Sequence, residues 1–124
     1  MRIYKNKAFS KWANKENLDD ETLRLSVIEM DNGLIDADLG GHVFKKRIAI
    51  AGRGKSGGIR TLLAYKTGNK AFFVYGFAKN SRANIKTEEL KGLKAYAGIL
   101  LSYSDKELKQ AMKSGALLEV INNG

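Results

Sequence analysis

A chain of 124 residues with a formal net charge of +9 has room for one hydrophobic core and not for two, so one domain over residues 1–124 is expected. With no cysteine there is no disulfide, thiolate metal ligand or thiol nucleophile, and the single histidine excludes a mechanism that needs two. Hydrophobic residues at 44% and charged residues at 28% suit a soluble globular protein, and no apolar run approaches the ~18 residues of a membrane span or the core of a secretion signal, so a cytoplasmic protein is expected.

Residues 2–5 read as a short first strand. Phe9, Trp12, Ala13 and Glu16 recur at helical spacing and give a first short helix with one apolar face. Asp19, Asp20 and Glu21 place negative charge at the start of a second helix, where the terminal dipole favours it. Leu23, Val27, Met30 and Leu34 mark its apolar stripe, and Gly33 suits its C-terminal cap. The period then changes to two. Phe44, Ile48 and Ile50 alternate with Val43, Lys45, Arg47 and Ala49, a strand with one apolar and one basic face, on which Lys46 is misplaced among the apolar positions. Residues 59–66 form a second strand, 67–70 a tight turn, and 71–78 a nearly all-apolar central strand, which together make an antiparallel meander. Helix returns near Glu88 with Thr87 as its cap, its apolar face (Leu90, Leu93, Ala97, Leu101) running to about Tyr103. Ser104 and Glu107 then form a capping box for a last helix that stops at Gly115. Leu117 to Ile121 is an edge strand or docking segment. The order, a strand, two helices, a three-stranded meander and then helices, predicts a compact α+β domain.

Charge is sharply segregated along this order. Residues 39–87 contain no Asp or Glu and eleven basic side chains, while the rest holds eleven basic and thirteen acidic ones. A local positive potential of this kind suits a dense polyanion, above all nucleic acid; the plainer alternative is a set of solvated basic strand faces. Within the run, Gly52-Arg53-Gly54-Lys55-Ser56-Gly57-Gly58-Ile59-Arg60 is the sharpest local signal. Its Gly-Lys-Ser is not a P-loop, because Ala49 stands where the motif needs glycine and a strand, not a helix, follows. What remains is a glycine-rich connection whose backbone can approach a phosphate. Alternation puts Lys45 and Arg47 on one strand face, and Arg53, Lys55 and Arg60 can join them on one concave surface, with Lys79 and Arg82 closing its other side. Phe72, Phe73, Tyr75 and Phe77 read mainly as core, with Tyr75 or Phe77 the candidates for exposure and base stacking. His42, after two glycines, reads as a loop residue, with a catalytic role as the lesser alternative.

The order of elements, the basic strand, the segment Gly54 to Arg60 and the later Tyr75-Gly76-Phe77-Ala78-Lys79-Asn80 resemble the RelE/ParE superfamily of bacterial toxins, closest to its HigB-like branch. The resemblance implies a small curved antiparallel sheet, the meander plus the short N-terminal strand, flanked by two N-terminal helices and by C-terminal helices, and a toxin of a toxin–antitoxin pair that cleaves translated mRNA on the ribosome. It implies a cognate antitoxin that covers the basic face, and no cofactor, metal or membrane. Carried over by position, it matches Lys45, Arg47, Arg60, Lys79 and Arg82; joined with Lys55 of the glycine-rich segment, the expected catalytic set is Lys45, Arg47, Lys55, Arg60 and Lys79, with Lys46, Arg53, Arg82 and Tyr75 as further RNA contacts. The chain departs from the pattern where Ile85 or Lys86 stands in place of a frequent tyrosine and Asn80 in place of a basic residue.

RNA cleavage by the 2′-hydroxyl needs a proton removed, a dianionic phosphorane stabilised and the 5′-oxygen protonated. Converging cations serve the second task, for which Arg60 is the candidate. A lysine crowded by cations, Lys55 or Lys45, can move the proton. With no carboxylate cluster in the run, a two-metal mechanism is not expected. Two readings compete: a non-catalytic toxin that inhibits a protein target such as DNA gyrase, and a plain nucleic-acid-binding module.

Overall fold

The computed structural model describes residues 1–49, 58–78 and 84–120. Strand β1 (Arg2–Asn6) runs directly into α1 (Lys7–Lys15), because the Asn6 side chain accepts a hydrogen bond from Phe9 N at 2.7 Å and caps the helix. The next helix, α2 (Asp20–Asp31), is capped by Asp19, whose carboxylate accepts from Thr22 N at 2.9 Å and from its hydroxyl at 2.7 Å. It ends two residues before Gly33, which takes φ 94°. Leu34, expected on its apolar stripe, therefore lies beyond the helix and is 59% exposed.

The chain continues through β2 (Ala37–Asp38), β3 (Val43–Ile48), β4 (Ile59–Lys66) and β5 (Lys70–Ala78), then α3 (Thr87–Leu101), α4 (Asp105–Ser114) and β6 (Leu117–Glu119). The meander β3-β4-β5 is antiparallel throughout, as its turn residues require. Ser104 and Glu107 make the reciprocal capping box of α4, and Gly115 ends that helix in the left-handed conformation at φ 85°. At α3 the cap is Lys86, not Thr87; the Glu89 carboxylate accepts from Lys86 N at 3.0 Å and draws the boundary back by one residue.

The fold is α+β, with the six strands ordered β2-β3-β4-β5-β1-β6. The sheet is mixed, not wholly antiparallel: β1 lies parallel to β5, with Ile3 opposite Ala71 and Tyr4 opposite Phe72. A parallel neighbour needs a long crossover, here α1, α2 and the meander itself, so it leaves no turn signal in the sequence. β1 is consequently interior, and its two central residues feed different cores. Ile3 joins Phe9, Ala13, Leu23, Val27 and Met30 of α1 and α2 on one face. Tyr4 joins Ala97, Leu100 and Leu108 of α3 and α4 on the other.

One irregularity decides which side chains reach the second face. Leu62 pairs with Tyr75 and Leu63 with Phe73, so Val74 is an extra residue, a β-bulge. The bulge reverses the alternation of β5 beyond it. Phe73 points to α1, while Tyr75 and Phe77 turn to the face of α3. Gly76 then faces α1, where a β-carbon would lie 2.1 Å from the Trp12 ring.

Candidate nucleic-acid interface

Directly opposed residues in antiparallel strands project to the same side, so the register defines two rows of side chains on the α3 face. The first is Lys45, Leu62 and Tyr75; the second is Arg47, Arg60 and Phe77. Successive rows lie two residues apart, about 6.6 Å along the strands. Arg47 and Arg60 are thus immediate cross-strand neighbours at the end of the meander that leads to the glycine-rich connection. Arg47 is exposed and Lys45 half-buried, whereas Arg60 keeps only 9% of its surface. Among the described residues no carboxylate forms an ion pair with any of the three. Asp36, from the segment before β2, accepts a hydrogen bond from the backbone N–H of Arg47 at 2.6 Å and so fixes the strand, not the guanidinium.

Lys46 is elsewhere. Alternation turns it to the α2 face, where it is 6% exposed, its ammonium 3.0 Å from Glu29 Oε1 and donating to Leu34 O at 3.1 Å. The expected RNA contact at Lys46 is corrected on this ground: the one basic residue at an apolar position neutralises a helix carboxylate and anchors the chain after α2. The Thr61 hydroxyl donates to Lys46 O at 2.9 Å and holds the strand there. Behind the strand ends, a cleft of about 530 Å³ opens where α2 crosses them, lined by residues that include Ser26, Glu29, Arg47, Gly58 and Arg60.

Tyr75 lies on the same face as the cations and is half-buried, its ring 6.0 Å from that of Phe77, which is 4% exposed. His42 occupies a left-handed turn position (φ 63°) before β3, exposed, with its carbonyl accepting from Tyr65 N. Five residue steps of extended strand, about 17 Å, separate it from Arg47. Arg53, Lys55, Lys79 and Arg82 lie outside the described residues. Four of the nine expected site residues, Lys45, Arg47, Arg60 and Tyr75, are therefore brought to one face, and Lys46 is not. The bulge at Val74 leaves no sequence signal, and strict alternation from Phe73 would put Tyr75 on the α1 side. Among the described residues no cluster of carboxylates and histidine could hold a metal ion, and no helix is long and apolar enough to cross a membrane.

Two arginines as cross-strand neighbours, with no carboxylate paired to either among the described residues, concentrate positive potential at this end of the sheet. The chain matches, over residues 1–120, the family described as RelE toxin of the RelE/RelB toxin–antitoxin system, and it belongs to that family. Membership makes it a toxin with a cognate antitoxin as partner. No match was found among curated proteins.

Proposed function

We propose that this toxin is a ribosome-dependent mRNA endonuclease of the HigB-like branch, acting in the cytoplasm without a metal. The observation that carries the reading is the Arg47–Arg60 pair. Like charges directly opposite one another weaken a sheet, so the fold gains nothing from two arginines in register. A phosphate placed between them converts that repulsion into attraction, and most strongly when the phosphate becomes a dianionic phosphorane.

In the step proposed, the ribose 2′-hydroxyl loses its proton and its oxygen attacks the adjacent phosphorus. The bond from phosphorus to the 5′-oxygen breaks, and that oxygen takes up a proton, leaving a 2′,3′-cyclic phosphate and a 5′-hydroxyl. Arg60, whose planar fork of N–H donors matches two phosphate oxygens, serves as charge stabiliser, with Arg47 as its exposed partner on the phosphate. Proton transfer is assigned to a lysine of the basic run, Lys45 or Lys55. In this reading the ribosome places the substrate before the arginine pair. Mapping mRNA 5′ ends after induced expression tests this: cuts confined to translated frames and lost when translation is blocked are expected. Growth arrest with intact mRNA would overturn the reading in favour of a protein target.

A further inference from the structure

The connection between α2 and β2 runs along the outer edge of β3 and bonds to three consecutive residues there. Leu34 O accepts from the Lys46 ammonium at 3.1 Å, Asp36 N donates to Lys45 O at 3.2 Å, and Asp36 Oδ2 accepts from Arg47 N at 2.6 Å. The last is the shortest of the three, as a hydrogen bond to an ionised acceptor should be.

Strand pairing does not supply that bond. β2 matches β3 only at Phe44 and Lys45, so beyond Lys45 the edge of β3 has no strand beside it. Val43 and Lys45 turn their backbone groups outward, since Val43 O accepts from Leu39 N and Lys45 O from Asp36 N, and alternation turns Arg47 outward with them. Arg47 and Arg60 are therefore a non-hydrogen-bonded pair, the closer of the two kinds, with α-carbons about 4.5 Å apart. Two like charges thus stand at the nearest cross-strand spacing, one residue from the end of β3, with no ladder bond between them. Their repulsion is relieved if this end of β3 swings outward.

Asp36 opposes that swing. It and Asp38 are the last carboxylates before the acid-free run of residues 39–87. Each accepts from a backbone N–H, Asp36 from Arg47 and Asp38 from Gly40 at 2.9 Å, and neither forms an ion pair with a cation among the described residues. The strand is held while the Arg47 guanidinium keeps its charge for an anion. From this geometry, and resting on the endonuclease reading above, we infer that Asp36 is a positioning residue of cleavage, which sets the separation of the two guanidinium groups by bonding the Arg47 amide. Misplacing a reacting group by about 1 Å costs up to about a hundredfold in rate. The bond lies at an exposed edge where water replaces it, so its loss moves the pair more than it weakens the fold. No cation leaves the face, so binding and its salt slope stay as they were.

The test is single-turnover cleavage on programmed ribosomes at rising protein concentration, which separates maximal rate from half-saturation, with hydrogen exchange of the Arg47 amide as a second readout. Asp36→Ala is expected to speed that exchange and to lower the maximal rate about tenfold to a hundredfold. Half-saturation and the urea midpoint should stay near those of wild type. Asp36→Asn should restore most of the rate, because its amide oxygen accepts the same bond. In an Arg47→Ala background, Asp36→Ala should cause no further loss, because the residue acts through Arg47. A full maximal rate in Asp36→Ala, a loss that multiplies with that of Arg47→Ala, or a change confined to half-saturation would overturn the inference and leave the endonuclease reading intact. Asparagine no better than alanine would also overturn it, by giving the effect to charge. An Asp36→Ala chain that does not fold would do the same, by making the bond a support of the whole fold. A wild-type protein that cuts no programmed mRNA removes the endonuclease reading itself, and this inference with it.

Discussion

Arg47 and Arg60 face each other across the β3–β4 ladder although such a pair weakens the sheet by roughly 0.2–1 kcal/mol. Replacing Arg60 by Met, which keeps most of its buried volume, should therefore leave stability unchanged or raise it by up to about 1 kcal/mol. The same change should lower cleavage by about a hundredfold or more, the scale of one lost charge-stabilising group. Arg60→Lys should recover only part, since a point charge does not hold two phosphate oxygens at once. Denaturant melts and cleavage rates check both halves; a destabilised but fully active Arg60→Met protein would make this arginine structural. Lys46 predicts the opposite pattern. Its side chain is 8% exposed and that of its partner Glu29 is 54% exposed, so the two ends of the ion pair are unequal. Glu29→Ala leaves a nearly buried ammonium with Leu34 O as its remaining acceptor and should cost about 1–3 kcal/mol. Lys46→Met removes the charge together with its desolvation and should lie within about 1 kcal/mol of wild type. Equal losses from the two variants in urea titrations would contradict this asymmetry.

The helices and the meander were legible because their signals are local. Asp19 caps α2, Ser104 and Glu107 box α4, and the strand bounds 59–66 follow from a strand-forming segment set between the glycine-rich stretch and the turn at Thr67 and Gly68. The parallel pairing of β1 with β5 was not legible, since it joins residues nearly seventy positions apart with no turn between them. Nor was the bulge, because two-residue periodicity carries no mark for an inserted Val74. Asp19 offers a test by pH. Hydrogen bonds from the Thr22 hydroxyl and backbone hold its carboxyl below the ordinary aspartate range. A lowered folded-state pKa stabilises above the unfolded value and is lost as pH falls through the folded one. Asp19→Ala should thus cost about 1 kcal/mol near neutrality. The difference between variant and wild type should shrink as pH falls through the folded-state value. A gap that persists in acid would mean the cap is not ionic. At Gly76 the contact with Trp12 is non-local in the same way as the bulge. Gly76→Ala should cost about 1–3 kcal/mol by overpacking, and much of that loss should disappear in a Trp12→Ala background. Additive losses would mean that the two residues are not in contact.

Across the whole protein the net charge of +9 comes from the middle of the chain, yet folding divides those cations unequally. Lys46 is drawn through the sheet to a carboxylate of the acidic N-terminal third, whereas Lys45 and Arg47, its neighbours on either side, stay on the α3 face without one. Alternation made that division readable for Lys45 and Arg47 from sequence. It also marked Lys46 as misplaced, but Glu29 as its partner depends on how α2 crosses the sheet, which no spacing within the strand reveals. The three residues are consecutive and each carries one positive charge, so they make an internally controlled experiment on where the polyanion sits. Binding to RNA or ribosomes should weaken as salt rises, with a slope that counts the counterions released. Replacing Lys45 and Arg47 together by uncharged residues should flatten that slope by about two units. Lys46→Met changes the formal charge by one but removes no cation from the α3 face, and should leave the slope within about a few tenths of a unit. If Lys46→Met flattened the slope as much as either neighbour does alone, the polyanion would be responding to net charge and not to this face. The arginine pair would then lose its claim to be the site.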